Sequence, residues 1–169
     1  MVHLVTEVDM DRREELGERL GATNTAASPA LAALRPTGVL GEEPLHIWAL
    51  DGTGALAGGV VAHTSHGWLE LDLLWVDAGQ RGAGLGGRIV AEAERIAVER
   101  GCAWSKVWTW DFQAPGFYIK QGYAVQCVLE DHPPGIRDFF LTKRLGQTKR
   151  LGQGEQRARG VTGPASPTA

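Results

Sequence analysis

A glycine-rich turn between an apolar segment and a helical one constrains the fold of this chain more than any other feature. Residues 81–88 read Arg-Gly-Ala-Gly-Leu-Gly-Gly-Arg, after an apolar run at 71–76 and before a helical pattern at 89–100. Glycine lets the backbone turn tightly and approach an anion, and the first N–H groups of a helix have no partner within the helix. The order strand, glycine turn, helix therefore predicts a cradle for phosphate, with room for a pyrophosphate.

Two common nucleotide motifs do not fit this turn. A phosphate-binding loop of the Walker type needs a Gly-Lys-Ser/Thr sequence, which does not follow residues 81–88. The spacing G-x-G-x-G-G also departs from the dinucleotide fingerprint G-x-G-x-x-G. Both nucleotide interpretations are therefore disfavoured.

Periodicity and turn residues predict one α+β domain over residues 1–145. Asp9 is a candidate N-cap for the first helix, which Gly21 is expected to end, and a short second helix is expected within a mobile connection at 21–36. The predicted helices are 9–20, 87–100 and 115–121, and the predicted strands are 45–50, 55–62, 69–76, 104–110, 123–129 and 138–143.

Charge divides the chain into an acidic body and a basic tail. Residues 1–145 carry 13 basic and 19 acidic side chains, whereas residues 146–169 carry 4 basic and 1 acidic. An acidic body disfavours a nucleic-acid partner and is compatible with a small cationic substrate. Residues 146–169 repeat the hexamer that begins at Thr142 and contain no aromatic residue, so their composition predicts a disordered tail.

Several other classes of protein are disfavoured by what the sequence contains. Its apolar runs fall short of the roughly 18 residues that a membrane span needs. Cys102, Cys127 and the five histidines show no metal-ligand spacing, and two cysteines are too few for a disulfide framework. We expect a soluble protein of the reducing cytoplasm, without a metal site.

Two motifs in order point to a known family. Arg81-Gly82-Ala83-Gly84-Leu85-Gly86 matches (Arg/Gln)-x-x-Gly-x-(Gly/Ala), and residues 114–123 match A-x-x-F-Y-x-x-x-G-(F/Y). With a strand before the first motif and a helix after it, the chain resembles the GNAT family of acetyl-CoA-dependent N-acetyltransferases over about residues 45–145. The resemblance implies a mixed, mostly antiparallel sheet flanked by helices, acetyl-CoA as cofactor, and homodimers as a common assembly.

The resemblance also implies which residues contact the cofactor. The expected contacts are Leu74, Trp75, Val76, Arg81, Gly82, Ala83, Gly84, Leu85, Gly86, Gly87, Arg88, Asp111, Ala114 and Phe117. Asp111 departs from the family pattern, because many members have Asn there. The family's strand splays beside Leu74, Trp75 and Val76, where a backbone N–H would polarise the thioester carbonyl.

Acyl transfer to an amine sets the chemistry that the side chains must perform. An ammonium has to lose a proton before its nitrogen can attack a thioester. Glu70 and Asp72 lie on the strand before the glycine turn and are predicted to share a face with Leu74 and Val76. Glu70 is the expected base and matches the position of a catalytic glutamate in many relatives; the alternative is two solvated carboxylates on a half-exposed strand.

Tyr118 resembles the family tyrosine that donates a proton to the departing thiolate. The alternative is a core tyrosine with its hydroxyl at the surface. Trp104, Trp108 and Trp110 alternate along one strand, which predicts that their face is buried. Trp48, Trp68 and Trp75 remain candidates for a ring that faces a cationic substrate.

An acidic loop is the candidate border of the acceptor site. Glu130, Asp131 and His132 precede Pro133-Pro134-Gly135 between the last two predicted strands, where relatives commonly border the acceptor pocket. The alternative is an ordinary Pro-Pro-Gly turn without a function.

The resulting hypothesis is acetylation of a primary amine on a small cationic molecule, by direct attack in a ternary complex. By analogy with related enzymes, a kasugamycin-like aminoglycoside is an example of such an acceptor. One alternative is acetylation of a protein N-terminus or lysine. Another is a non-catalytic acyl-CoA sensor, against which the presence of both Glu70 and Tyr118 argues.

Overall fold

Six strands form one sheet in the order β1-β2-β3-β4-β6-β5 in the computed structural model, which describes residues 2–146. The strands are β1 Glu43–Leu50, β2 Leu56–Ser65, β3 Trp68–Val76, β4 Trp104–Trp110, β5 Ala124–Leu129 and β6 Asp138–Arg144. The helices are α1 Met10–Ala27, α2 Pro29–Leu34, α3 Leu85–Glu99 and α4 Pro115–Lys120. The β3–β4 pair is parallel and the other four pairs are antiparallel, so the predicted mixed, mostly antiparallel sheet is confirmed.

Helix α3 covers one face of the sheet and forms the core with it. Ile89, Ala93 and Ala97 recur every four residues, so they lie on one side of the helix, and all three are buried. They pack against apolar side chains of β1 to β4. Members of this core from the sheet are Leu45, Val60, Ala62, Leu69, Leu71, Val107 and, from β6, Leu141.

The tryptophans of β4 lie on the opposite face, so the prediction that their face is buried is wrong. Ser105, Val107 and Thr109 are the buried residues of this strand, whereas Trp108 and Trp110 are exposed. Alternation shows that the two faces of a strand differ, but it does not say which face a helix covers. The Ser105 hydroxyl can enter the core because it forms a 2.7 Å hydrogen bond with the hydroxyl of Tyr123.

Aromatic stacking stabilises the tryptophans on the uncovered face. Trp104 stacks on Trp68 of the neighbouring β3, with the ring centroids 5.4 Å apart. Trp108 stacks on Phe140 of β6 at 4.7 Å. Cross-strand pairs of this kind stabilise a sheet even where a face stays partly exposed.

The first helix extends beyond the predicted break at Gly21. The predicted cap is confirmed, since the Asp9 carboxylate accepts a 2.9 Å hydrogen bond from the backbone N–H of Arg12. The helix continues through Gly21 to Ala27, and the Gly21 carbonyl accepts hydrogen bonds from Thr25 Oγ1 at 2.7 Å and from Arg35 Nη2 at 2.9 Å. These two contacts and the alanines of this segment offset the roughly 1 kcal/mol that a glycine costs inside a helix.

The predicted tail at 146–169 lies, from residue 147 onward, outside the described residues. None of the helices within residues 2–146 is long and apolar enough to cross a membrane.

Candidate active site

Strands β3 and β4 separate after a short paired segment. Trp68–Leu71 pair with Trp104–Val107, and beyond these residues the β4 side of β3 faces an open cleft. The divergence coincides with a β-bulge, because Ala62 of β2 pairs with Leu71 but the next residue, Val61, pairs with Leu73. A bulge inserts one extra residue and bends the strand. The splay implied by the family resemblance is therefore present, and Asp72 is the extra residue.

The bulge also changes which residues share a face of β3. Leu74 and Val76 pack against the core beneath α3, whereas Glu70 lies on the opposite face, beside His63. The prediction that the two carboxylates share the face of Leu74 and Val76 is wrong, because one inserted residue reverses the alternation along a strand. Both carboxylates instead contact the His63 ring of β2.

The cleft between the separated strands has a volume of about 970 Å³. It contains most of the residues predicted to contact the cofactor, together with Asp72 and Tyr118. The predicted residues that line it are Leu74, Trp75, Val76, Arg81, Gly82, Gly84, Leu85, Gly86, Gly87, Ala114 and Phe117. Ala83, Arg88 and Asp111 lie outside the lining of this cleft.

The glycine turn places the start of α3 at one end of the cleft. Gly82 has φ of 78° and Gly84 has φ of 80°, a left-handed conformation that side chains disfavour. Helix α3 begins at Leu85, two residues earlier than predicted, and within residues 2–146 no side chain caps its first turn. The unpaired N–H groups of that turn, with the positive end of the helix dipole behind them, suit an anion such as a pyrophosphate.

Two contacts hold the turn against the neighbouring elements. Arg81 Nε donates a 3.0 Å hydrogen bond to the carbonyl of Val76, which ties the turn to the end of β3. A Cβ on Gly86 would lie 3.4 Å from the Phe117 ring, so α3 approaches α4 closely. Arg81 therefore shapes the cleft through the backbone of β3.

Tyr118 projects from α4 into the same cleft and is only 5% exposed. Its ring lies edge-on to Phe117 and Tyr123, with centroid distances of 5.1 Å and 5.6 Å. Burial raises the pKa of Tyr118 to about 12, because the phenolate would lose its hydration. The hydroxyl therefore keeps its proton at neutral pH.

A second cavity of about 360 Å³ opens on the opposite face of the sheet. It is lined by His63, Ser65, His66, Trp68, Glu70, Lys106 and Phe140. Of the three tryptophans that the sequence left as substrate-facing candidates, Trp68 lies in this cavity and Trp75 lies in the larger cleft. We label the larger cavity the cofactor cleft, after the contacts predicted from the sequence, and the smaller one the acceptor pocket, after the role that we propose for it.

Four charged or ionisable side chains meet between the acceptor pocket and the cofactor cleft. Lys106 Nζ lies 2.6 Å from Glu70 Oε2, and His63 Nε2 lies 3.4 Å from the same oxygen. The other nitrogen of the ring, His63 Nδ1, lies 2.9 Å from Asp72 Oδ2. Asp72 lines the cofactor cleft, so this cluster connects the two cavities through the sheet.

Neither His63 nor Lys106 is among the residues predicted from the sequence. For His63, however, the sequence contains a turn that indicates its position. His66 and Gly67 have φ of 54° and 75°, the conformation of a two-residue hairpin turn. That turn pairs Ser65 with Trp68 and therefore His63 with Glu70. The position of Lys106 opposite Glu70 depends on the parallel pairing across α3, which local sequence does not determine.

The other predicted site residues lie away from both cavities. Asp111 Oδ2 lies 3.3 Å from Arg137 Nε and forms an ion pair with it. The loop residues Glu130, Asp131 and His132 are exposed, and His132 Nδ1 lies 3.1 Å from Asp138 Oδ2. Within residues 2–146, no group of three or more His, Cys, Asp or Glu side chains is arranged to hold a metal ion.

The cofactor cleft combines a helix start without a side-chain cap, an open strand edge and a buried phenol. A long thioester that carries phosphate groups fits these three features. The model of the acetyltransferase (GNAT) family matches residues 11–123. The chain belongs to the GNAT family. It is therefore an acyltransferase that uses acetyl-CoA, and the family expectation from its two motifs is confirmed.

Individual GNAT relatives support this assignment over most of the chain. The blasticidin-S acetyltransferase of Streptomyces morookaense is 52% identical over 131 residues, which span 75% of this chain and 96% of that protein. A crystal structure of an acetyltransferase from Bacillus cereus superposes with a TM-score of 0.72 at 30% identity, over 85% of this chain and 98% of that one. An aminoglycoside 6′-N-acetyltransferase crystallised with coenzyme A shares the fold, with a TM-score of 0.56 at 20% identity over 86% of this chain and 98% of that one.

Proposed function

We propose that this GNAT enzyme acetylates a primary amine on a small cationic antibiotic of the blasticidin-S class. Support comes from the relative of that name, which is 52% identical across 96% of its own length. The observation that carries the proposal is the position of Glu70, which lies in the acceptor pocket and joins, through His63, to Asp72 in the cofactor cleft. An amine bound beside Glu70 would therefore have a carboxylate within reach, at the point where the two cavities approach each other.

The size and charge of the acceptor pocket favour a small molecule. A volume of about 360 Å³ is at the small end of ordinary ligand sites. Glu70 and the Trp68 ring offer a carboxylate and an aromatic face, both of which attract an organic cation. The same features would suit an amine of a kasugamycin-like aminoglycoside, so blasticidin S and kasugamycin are both tested below.

Each residue then has one task in the transfer. Acetyl-CoA, when bound, supplies the acetyl thioester. Glu70 takes the proton that the ammonium must lose, and Lys106 holds Glu70 Oε2 at 2.6 Å while Oε1 remains for the amine. A backbone N–H of Leu74, Trp75 or Val76 polarises the carbonyl, and Tyr118 protonates the departing sulfur.

Direct transfer fits the positions of the two cysteines. Cys102 is buried, and burial raises the pKa of its thiol, whereas Cys127 is exposed on β5. Both lie away from the residues that line the cofactor cleft and the acceptor pocket. An acyl-cysteine intermediate would need a thiolate beside the thioester, so the amine attacks in a ternary complex.

The test measures thiol release from acetyl-CoA with blasticidin S, kasugamycin and a lysine-rich peptide as acceptors. We expect turnover with blasticidin S, and initial rates at varied concentrations of both substrates should show intersecting lines rather than parallel ones. Turnover of the peptide alone would refute the proposal in favour of protein acetylation.

Substitution of the proposed base provides the second part of the test. Glu70→Gln should lower kcat by about a hundredfold or more, the usual contribution of a general base, with the Kd for acetyl-CoA unchanged because Glu70 lies outside the cofactor cleft. Glu92→Gln is the matched control, since Glu92 lies on the exposed side of α3 beside Arg95. Full activity in Glu70→Gln would contradict the assigned role.

A further inference from the structure

His63 lies between two carboxylates, with one ring nitrogen directed at each. Nδ1 is 2.9 Å from Asp72 Oδ2, and Nε2 is 3.4 Å from Glu70 Oε2. The side chain is 20% exposed and also lines the acceptor pocket. A neutral imidazole can donate one hydrogen bond, whereas a protonated ring donates two, so this position suits a ring that gains and loses a proton.

Strand geometry fixes His63 in this position. The hairpin turn at His66 and Gly67 places His63 directly opposite Glu70 on β3. Asp72 is the inserted residue of the bulge, and its carboxylate contacts the other edge of the same ring. His63 is therefore held by the register of β2 and β3.

One additional proton would balance the charges of the cluster. Glu70 and Asp72 are two anions, and Lys106 supplies one cation at 2.6 Å from Glu70. A neutral His63 leaves one negative charge without a counter-charge, and either the acceptor's ammonium or a proton on His63 would balance it. One further ionisable group, His66, lines the same pocket and contacts the Ser65 hydroxyl through Nδ1. On β1, Pro44 lies directly opposite His63, and its ionisable neighbours are Glu43, which pairs with Arg100 at 3.0 Å, and His46.

Proton balance in the proposed reaction requires such a group. An ammonium nitrogen carries three protons and the amide product carries one, so two protons leave the same nitrogen in each turnover. The first leaves before the N–C bond forms, and the second leaves as the C–S bond breaks and the sulfur takes a proton from Tyr118. Glu70 can accept the second proton only after it has passed on the first. The second proton then returns through solvent to the Tyr118 oxygen, so that one proton per turnover leaves the enzyme.

We propose that His63 carries the first proton away from Glu70, with Asp72 as the residue that positions its ring. Glu70 takes that proton from the ammonium on Oε1, and rotation of the carboxyl group then brings the protonated oxygen to His63 Nε2. Transfer makes the ring an imidazolium that donates to both carboxylates. Glu70 is then an anion again and can accept the second proton. This inference rests on the proposed amine acetylation and adds a residue to it.

The test compares His63→Gln with the wild type in thiol release, at several pH values and with blasticidin S as acceptor. We expect kcat to fall about tenfold or more while KM for the amine changes less than threefold, because the ring moves a proton and does not hold the substrate. The pH dependence of kcat should differ between the wild type and His63→Gln. Added imidazole should restore part of the lost rate.

Three controls make the outcome decisive. His46→Asn removes an exposed imidazole from β1 and should leave kcat and the pH profile unchanged. Asp72→Asn keeps the ring but removes the carboxylate at Nδ1, so kcat should fall by less than in His63→Gln. Unchanged melting temperature and acetyl-CoA affinity in His63→Gln would show that the fold is intact.

The outcomes separate this inference from the proposed function. Wild-type turnover with the same kcat and pH profile in His63→Gln would overturn the role of His63 alone. Failure of the wild type to acetylate any of the amines would overturn the proposed function and this inference with it. A changed pH profile in His63→Gln together with rescue by imidazole would support the proton transfer.

Discussion

Replacement of Gly84 by alanine should weaken acetyl-CoA binding through the backbone alone. Gly84 has φ of 80°, and a Cβ there would meet no atom within 4 Å, so alanine would cause strain without a clash. That strain amounts to roughly 1–2 kcal/mol for an L-residue. The chain can relieve it by rotating residue 84, which would turn the first N–H groups of α3 away from the cofactor cleft. Loss of one hydrogen bond to a charged phosphate costs about 1.5–3 kcal/mol, or about tenfold to a hundredfold in Kd.

Gly101→Ala is the matched control, because Gly101 has φ of 84° with open space around it and lies just beyond the other end of α3. Urea unfolding should give both variants a similar loss of stability, about 1–2 kcal/mol. Calorimetry should show weaker acetyl-CoA binding for Gly84→Ala alone, with Gly84→Asn between it and the wild type, because Asn tolerates this conformation better. Equal Kd values for Gly84→Ala and the wild type would refute the assignment of the glycine turn to the phosphates.

Three further predictions concern Tyr118 and Asp111. Tyr118→Phe should lower kcat by about a hundredfold in the thiol-release assay, with acetyl-CoA affinity unchanged by calorimetry. The folded pKa of Tyr118, about 12, exceeds the unfolded value near 10, so its contribution to stability is complete below pH 10 and is lost as the pH rises towards 12. Urea unfolding at pH 8 and pH 11 should therefore show the wild type losing about 1 kcal/mol more than Tyr118→Phe, in which Tyr123 is still present; equal losses would contradict this. Asp111→Ala should leave acetyl-CoA affinity unchanged and cost at most about 1 kcal/mol in unfolding, because its carboxylate pairs with Arg137 outside the cofactor cleft.

The sequence predicts the cofactor cleft well, because its parts are local. A strand, a glycine turn and a helix follow one another at residues 69–100, and the second motif places Tyr118 on the next short helix. The backbone conformation at Gly84 and the cap at Asp9 also depend on adjacent residues. Local features of this kind can be read from residue types and their spacing.

The acceptor side depends on contacts between distant segments, which spacing does not determine. One inserted residue at Asp72 reverses the faces of β3, and periodicity along a single strand gives no sign of it. The exposed face of Trp108 follows from where α3 packs, and the pairing of Lys106 with Glu70 follows from a parallel register. The position of His63 could have been predicted, because the His66-Gly67 turn fixes the register of the hairpin.

The central claim is that an amine beside Glu70 receives the acetyl group directly. The most direct measurement is mass spectrometry of blasticidin S after incubation with the enzyme and acetyl-CoA, alongside thiol release from the same reaction. We predict one acetyl group added per thiol released with the wild type, and a loss of both in Glu70→Gln. Thiol release without an acetylated product, or the same product yield from Glu70→Gln at early times, would contradict the account.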